Sequence, residues 1–310
     1  VTDASADSLI RLRLDIAYDG TDFHGWAKQA DPAIRTVQHT IEQAFGLIFQ
    51  TPCPLTVAGR TDAGVHATGQ VAHVDVPAKG LETRSIDGDP TRLVRRLTRL
   101  LPDDIRIHAV TVAPDGFDAR FSALRRHYNY RITTAACGPL PQTRLFTAAW
   151  PRRVDITLMQ QATHALLGLH DFAAYSKYRP GATTVRDLQA FSWREVSTAQ
   201  EPDTYEATVI ADAFTWSMVR SLVGATLAVG EGKQPISFTE AMLNERSRSS
   251  KIPVAPACGL TLTQVDYPAA AALAARAEQT RGVRVLPGEE TRAVGKGCPE
   301  TNPYFHGVQE

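Results

Sequence analysis

The segment IRLRLDIAY, residues 10–18, alternates without a break: Ile10, Leu12, Leu14 and Ile16 face one way, Arg11, Arg13 and Asp15 the other. A period of two marks a strand with one buried and one solvated face. Working outward, YDGTDFHGW reads as a glycine-punctuated loop. Thr36 then stands as an N-cap before Val37, Ile41, Ala44, Phe45 and Ile48, which fall at helical spacing. Residues 53–58 and 70–76 predict two strands. Asp89-Pro90 opens a helix running to about Leu100, since proline suits the first helical position, and 104–112 is again strand-like. The order β-α-β-β-α-β is that of a ferredoxin-like split unit.

A second, looser series follows. Strands are expected over 126–133, 188–196, 205–213 and 260–265, and helices over 155–168, 215–229 and 238–244. The fold class is therefore α+β, two similar halves meeting near 113–117. This gives an N-terminal extension over 1–8, an N-terminal α+β domain over 9–113, a C-terminal α+β domain over 114–268 and a tail over 269–310. The tail opens with an alanine-rich stretch predicted as a short helix. From Gly282 onward it is polar, rich in Gly and Pro, and carries no assigned function.

Composition narrows the function classes. With 43% hydrophobic and 21% charged residues over 310 positions, the chain reads as a globular protein with a substantial core. No apolar run approaches the ~20 residues that a membrane span needs, so a cytoplasmic location is expected. Basic and acidic residues balance at 33 each, and any nucleic-acid partner must be met by local clusters. Cys53, Cys137, Cys258 and Cys298 form no CxxC pair and read as reduced thiols without a role. No phosphate-binding glycine loop, dinucleotide fingerprint or nucleophile elbow occurs. His66, His73 and Asp75 lie close in sequence, but a structural histidine pair is the better reading than a metal site, and no cofactor is expected.

Between the strands over 53–58 and 70–76 lies AGRTDAGVHATGQVAH, residues 58–73. Asp62 there is either an ordinary Asp-Ala-Gly turn or a loop carboxylate held ionised by Arg60. A lone ionised carboxylate suits a nucleophile or oxocarbenium stabiliser. Glycosidases pair it with a second, protonated acid because their leaving group is poor. Uracil leaving a nucleoside is already stabilised as an anion and needs no such acid.

The run GRTDAGVHATGQVAH closely resembles the signature of the TruA family of tRNA pseudouridine synthases, centred on GRTDxGVHA. YDGTDFHGWAKQ, FDARFSALRRHYNYRI, FTWSMVRSLVG and PACGLTLTQVDYP resemble further family segments in the same order, from about Leu12 to Pro268. The resemblance implies a pseudouridine synthase fold: two ferredoxin- or RRM-like halves, mixed but mainly antiparallel sheets, and a cleft between them. It implies cofactor-free isomerisation of uridine to pseudouridine at positions 38–40 in the anticodon stem-loop of tRNA, by a homodimer. It places the catalytic carboxylate on Asp62, the nucleotide-contacting arginine on Arg60 and the base-packing tyrosine on Tyr128. The arginine that salt-bridges the carboxylate falls on Arg220, and an apolar lining residue on Leu260. Ala27 and Lys28 depart from the family pattern, as does RLTRLLPDD, which lacks an expected asparagine. KGLETRSIDGDP looks like a modest insertion.

RNA binding is then expected from Arg92, Arg95, Arg96 and Arg99, one face of the helix opened by Pro90, and from Arg125 and Arg126 beside Tyr128. Two other readings stay open at this point. A non-catalytic RRM-like module predicts exposed stacking aromatics in the RNP pattern, which the chain lacks. A sugar-specific glycosidase predicts a second carboxylate ~5–10 Å from Asp62.

Overall fold

In the computed structural model, residues 8–282 are described. Most of the expected N-terminal extension, the tail beyond Gly282 and Cys298 lie outside the described residues. The elements of the first half are β1 (Leu9–Tyr18), α1 (Val37–Phe49), β2 (Leu55–Val57), β3 (His66–Pro77), α2 (Ala78–Leu81), α3 (Leu93–Leu100) and β4 (Ile105–Val112). The second half runs β5 (Arg125–Thr133), β6 (Ala148–Ala149), α4 (Ile156–Thr163), β7 (Gly168–Asp171), β8 (Val185–Glu195), β9 (Thr204–Ala211), α5 (Met218–Gly230), α6 (Phe238–Leu243) and β10 (Leu260–Asp266). A last helix, α7 (Leu273–Arg281), follows it and sits Leu273 and Ala277 in buried positions. The Leu273 carbonyl accepts from the Ser122 hydroxyl, so the first part of the expected tail packs onto the body.

Among the described residues all strands join one sheet, with the path β4-β1-β3-β10-β5-β9-β8-β7, β2 pairing with β3 and β6 with β5. Within it, β4-β1-β3-β2 and β10-β5-β9-β8 repeat the same order, each the split βαββαβ arrangement. The separate sheets expected of two halves are thus fused. The fusion depends on the shortness of β2. It covers only Ala72, His73 and Val74 on the outer edge of β3, leaving His66 and Ala67 free to pair in parallel with Thr261 and Leu262 of β10.

Burial follows the alternation read in the sequence. Leu12, Leu14 and Ile16 of β1 are fully buried, with Ile41 and Phe45 of α1 packed into the same core. Thr36 caps α1 by accepting from the His39 N–H. In the second half α5 is buried along nearly its whole length, and its Thr226 hydroxyl accepts from Trp193 Nε1 of β8 at 3.1 Å.

Gly69 marks the seam between the halves. A Cβ there would lie 2.0 Å from the Thr263 carbonyl oxygen, so only glycine lets β3 and β10 approach this closely. Gly69→Ala is expected to lower stability by about 1–3 kcal/mol through overpacking, measured by urea denaturation.

Candidate active site

Asp62 sits in the turn between β2 and β3, and the chain spends several buried polar groups on fixing that turn. The neighbouring Thr61 hydroxyl is bonded to Tyr18 Oη at 2.7 Å. Gln70 donates to the same phenol and to the Gly59 carbonyl, at 3.3 and 2.8 Å. Burial pushes the Tyr18 phenol up to about 12, so it stays a neutral hydrogen-bonding group. The loop over 19–26 packs against the turn from outside. Trp26 N–H donates to the Thr61 carbonyl at 3.0 Å, and Gly64 N–H to the Phe23 carbonyl at 3.3 Å. Gly20 has to be glycine, because a Cβ would lie 2.0 Å from the Val65 carbonyl oxygen. The histidines follow the structural reading: Nδ1 of His66 accepts from Gly20 N–H and Nδ1 of His73 from Ala119 N–H.

The second half closes on Asp62 from the other side. Arg220, in the first turn of α5, brings Nη1 to 3.8 Å from Asp62 Oδ2. That separation is an ion pair without a direct hydrogen bond. The guanidinium is aimed by the backbone, since its Nε donates to the Ala255 carbonyl at 2.7 Å. Gly224, one turn further along α5, permits this: a Cβ there would lie 1.9 Å from the Pro253 carbonyl oxygen, and the segment carrying Ala255 could not approach.

Tyr128 on β5 is buried, edge-on to Phe214 with ring centroids 5.2 Å apart. Its phenol is held far above the ordinary tyrosine range, first by burial and further by the nearby Tyr18 and the Asp62 carboxylate. Leu260, also buried, opens β10 opposite Tyr130, and Leu262 stands opposite Tyr128. Leu260 therefore lies diagonal to Tyr128 on one face of the strand pair.

Burial raises the Asp62 carboxyl above the usual aspartate range, and Arg220, Lys177 and the Ser217 hydroxyl each oppose that rise. The expectation that Arg60 holds Asp62 ionised is corrected here. Arg60 instead stands with Arg179 and Arg120, and burial together with these two like charges lowers its pKa. Lys177, Ser217, Arg120 and Arg179 carried no signal of spacing in the sequence, because each arrives from a different loop or helix end.

The arginines expected to meet RNA divide into two kinds. Arg95 and Arg99 are exposed on α3, opposite its buried Leu93 and Leu97. Arg92 is paired with Asp87 at 3.0 Å, Arg96 donates to the Ser85 hydroxyl at 3.0 Å, and Arg125 pairs with Asp266 at 3.2 Å. Arg126 is different, and its expected RNA contact does not fit the geometry. It is buried, and it donates to the carbonyls of Asp212, Ala58 and Arg120 at 2.6, 2.7 and 2.9 Å. Since Ala58 belongs to the first half and Asp212 to the second, Arg126 is a strut between them.

Asp62 thus has Arg220 at ion-pair distance and Tyr128 nearby, both brought by the second half of the chain. The family model described as tRNA pseudouridine synthase matches residues 16–122 and 162–268. A tRNA pseudouridine synthase A of Corynebacterium glutamicum is 61% identical over 278 residues, covering 90% of this chain and 96% of that protein. A protein of the same description from Mycobacterium leprae is 52% identical, covering 89% and 96%, and one from Streptomyces griseus is 46% identical, covering 93% and 99%. The chain belongs to the tRNA pseudouridine synthase family.

Replacing Arg126 tests the strut. Arg126→Ala removes the donor from three carbonyls, two of them buried, and is expected to cost about 2–4 kcal/mol of stability in urea denaturation. The tRNA affinity of the molecules that stay folded is expected to be unchanged.

Proposed function

We propose that this member of the family isomerises uridine to pseudouridine in tRNA with Asp62 as the catalytic carboxylate and with no cofactor. The observation that carries the reading is one half-buried carboxylate with Arg220 at ion-pair distance, Arg220 being aimed by the Ala255 carbonyl and the Asp62 turn being fixed by the Tyr18–Thr61 hydrogen bond. The target nucleotide is turned out of its helix, at an unstacking cost of a few kcal/mol. Asp62 then promotes cleavage of the N-glycosidic bond, by attack on the sugar or by removal of a sugar proton. The electron pair of that bond leaves with uracil, which turns and re-bonds through C5, and the C5 proton is lost. Tyr128 packs on the base and Leu260 closes the apolar side. Arg220 keeps Asp62 ionised, and Arg60 contacts the nucleotide being handled.

The resemblance to the family supports positions 38–40 of the anticodon stem-loop as targets, a homodimer as the acting form and the cytoplasm as the place of work. Among the described residues no helix is long and apolar enough to cross a membrane. The exposed arginines of α3, with Arg92, Arg96 and Arg125, are the proposed contacts to the RNA backbone.

Two experiments follow. Asp62→Asn is expected to lower tritium release from tRNA labelled at uridine C5 by about a thousandfold or more. Its stability has a defined sign. A carboxyl whose folded-state pKa is raised costs stability above the unfolded aspartate value, and that cost vanishes in acid. The asparagine variant should therefore melt no lower than wild type at pH 7, with any advantage lost as the pH falls through the aspartate range. Replacing Arg95 and Arg96 together with Ala should weaken tRNA binding and reduce the slope of log affinity against log salt by about 2, at roughly one phosphate each. Filter binding across a salt series reads this directly, and an unchanged slope removes both residues from the interface.

A further inference from the structure

Of the four tryptophans, Trp26 and Trp193 are buried and Trp150 packs partly against the core, whereas Trp216 is 46% exposed. An exposed aromatic by itself needs no explanation. The position and the support of this one set it apart. It lies on a turn whose inward side reaches the candidate site. Phe214, two residues before, meets Tyr128 edge-on with centroids 5.2 Å apart, and Arg220, four residues after, stands 3.8 Å from Asp62. Trp216 is therefore at the rim of the site, on the side that faces solvent.

The ring is held rather than loose. The Lys177 ammonium stands 3.9 Å from its centre, a cation–π contact that covers one face and leaves the opposite face for a ligand. Lys177 N–H donates to the Trp216 carbonyl at 2.9 Å, and the Ser176 and Thr215 hydroxyls are bonded to each other. Ser217, next in the chain, is left-handed with φ 65° and ψ 4° and makes no capping bond to α5. That conformation is sparsely populated for a residue with a Cβ and persists where the surroundings enforce it, as they do at ligand clamps. An aromatic surface ordered in advance costs less to bind than a mobile one.

The charge around it is of one sign. Lys177, Tyr178 and Arg179 are all exposed, Tyr178 at 79%, and neither 172–186 nor 213–230 contains an acidic residue. A flat, ordered indole beside exposed cations fits the face of a nucleobase together with its phosphates.

We propose that Trp216 is the stacking platform for an unpaired base that flanks the target nucleotide of the RNA substrate. When the target is turned out of its helix, the neighbouring base loses a stacking partner. The indole replaces that partner, and the cations over 177–179 meet the backbone, so the strand is held in register with the site. This inference rests on the reading of Asp62 as the carboxylate that meets the target.

Filter binding of an unmodified tRNA transcript across a salt series tests it. Trp216→Ala is expected to weaken binding roughly five- to a hundredfold, the range for losing one base–aromatic stack. The slope of log affinity against log salt should not change, because the ring neutralises no phosphate. Trp216→Phe keeps a π face and should bind within about threefold of wild type. Transcript binding should also quench the tryptophan fluorescence of wild type more than that of Trp216→Phe, a difference that a purely structural role would not produce. Wild-type affinity in Trp216→Ala overturns the proposal, as does a loss that Trp216→Phe shows in full. Normal tRNA binding by Trp216→Ala with a change in its sedimenting species assigns the ring to a contact between copies of the chain, and overturns it too. Asp62→Asn is run alongside. Retained tritium release in that variant sinks the reading of Asp62, whereas wild-type binding by Trp216→Ala sinks only the platform.

Discussion

The proposed chemistry sets one constraint on this structure: the Asp62 carboxylate must be partly withdrawn from water and yet stay charged. Burial alone drives Asp62 the wrong way, toward its neutral form. A neighbouring acid would worsen the problem, and an open turn would leave the carboxylate mobile and solvated. The fold answers with cations and a hydroxyl set around the turn, none of them from the turn's own strands. Arg220 and Ser217 come from the N-terminal end of α5 and Lys177 from the loop after β7, while Tyr128 covers the site from β5. The first turn of a helix is itself a favourable place for an anion, because its unpaired N–H groups carry partial positive charge.

That arrangement requires the halves to be held in fixed register, and the chain achieves this with few contacts of unusual closeness. β3 and β10 share only two paired positions, and their approach depends on Gly69. Arg126 ties carbonyls of both halves through one buried guanidinium. Gly224 lets the segment over 253–255 lie against α5, so that Ala255 can aim Arg220. A small error at any of these would move the cations relative to Asp62. The glycines and the strut do not touch Asp62 in any hydrogen bond or ion pair, yet they set the placing of the halves on which the proposed chemistry depends.

Much of this was legible in the sequence. The alternation over 10–18 and the apolar spacing after Thr36 identify β1 and α1 nearly to their ends, since both elements have one buried face. Elsewhere the local signal misleads for physical reasons. β3 begins at His66 and not at Gln70, because Gly69 reads as a turn although its missing side chain is what admits β10. The helix expected from residue 215 begins at Met218, because Thr215 and Trp216 are held in a turn and Ser217 is left-handed. β6 and β7 are too short to show a period. The fusion into one sheet had no sequence signal, since it rests on the edge of β3 that the short β2 leaves uncovered.

For the site, the family motifs pointed to Asp62, Tyr128, Arg220 and Leu260; the structure sets Arg220 against Asp62 and Leu260 diagonal to Tyr128. The resemblance assigned the carboxylate's ion-pair partner to Arg220, while the local reading of the turn offered Arg60, its neighbour in sequence; among the ion pairs of the described residues it is Arg220 that stands against Asp62. The most direct measurement is a carbon-13 NMR titration of the Asp62 side-chain carboxyl in the intact protein, repeated in Arg220→Gln. The account predicts a midpoint above the ordinary aspartate range but low enough to leave the group ionised at pH 7, moving further upward when Arg220 is neutralised. An ordinary midpoint that Arg220→Gln does not move would contradict it.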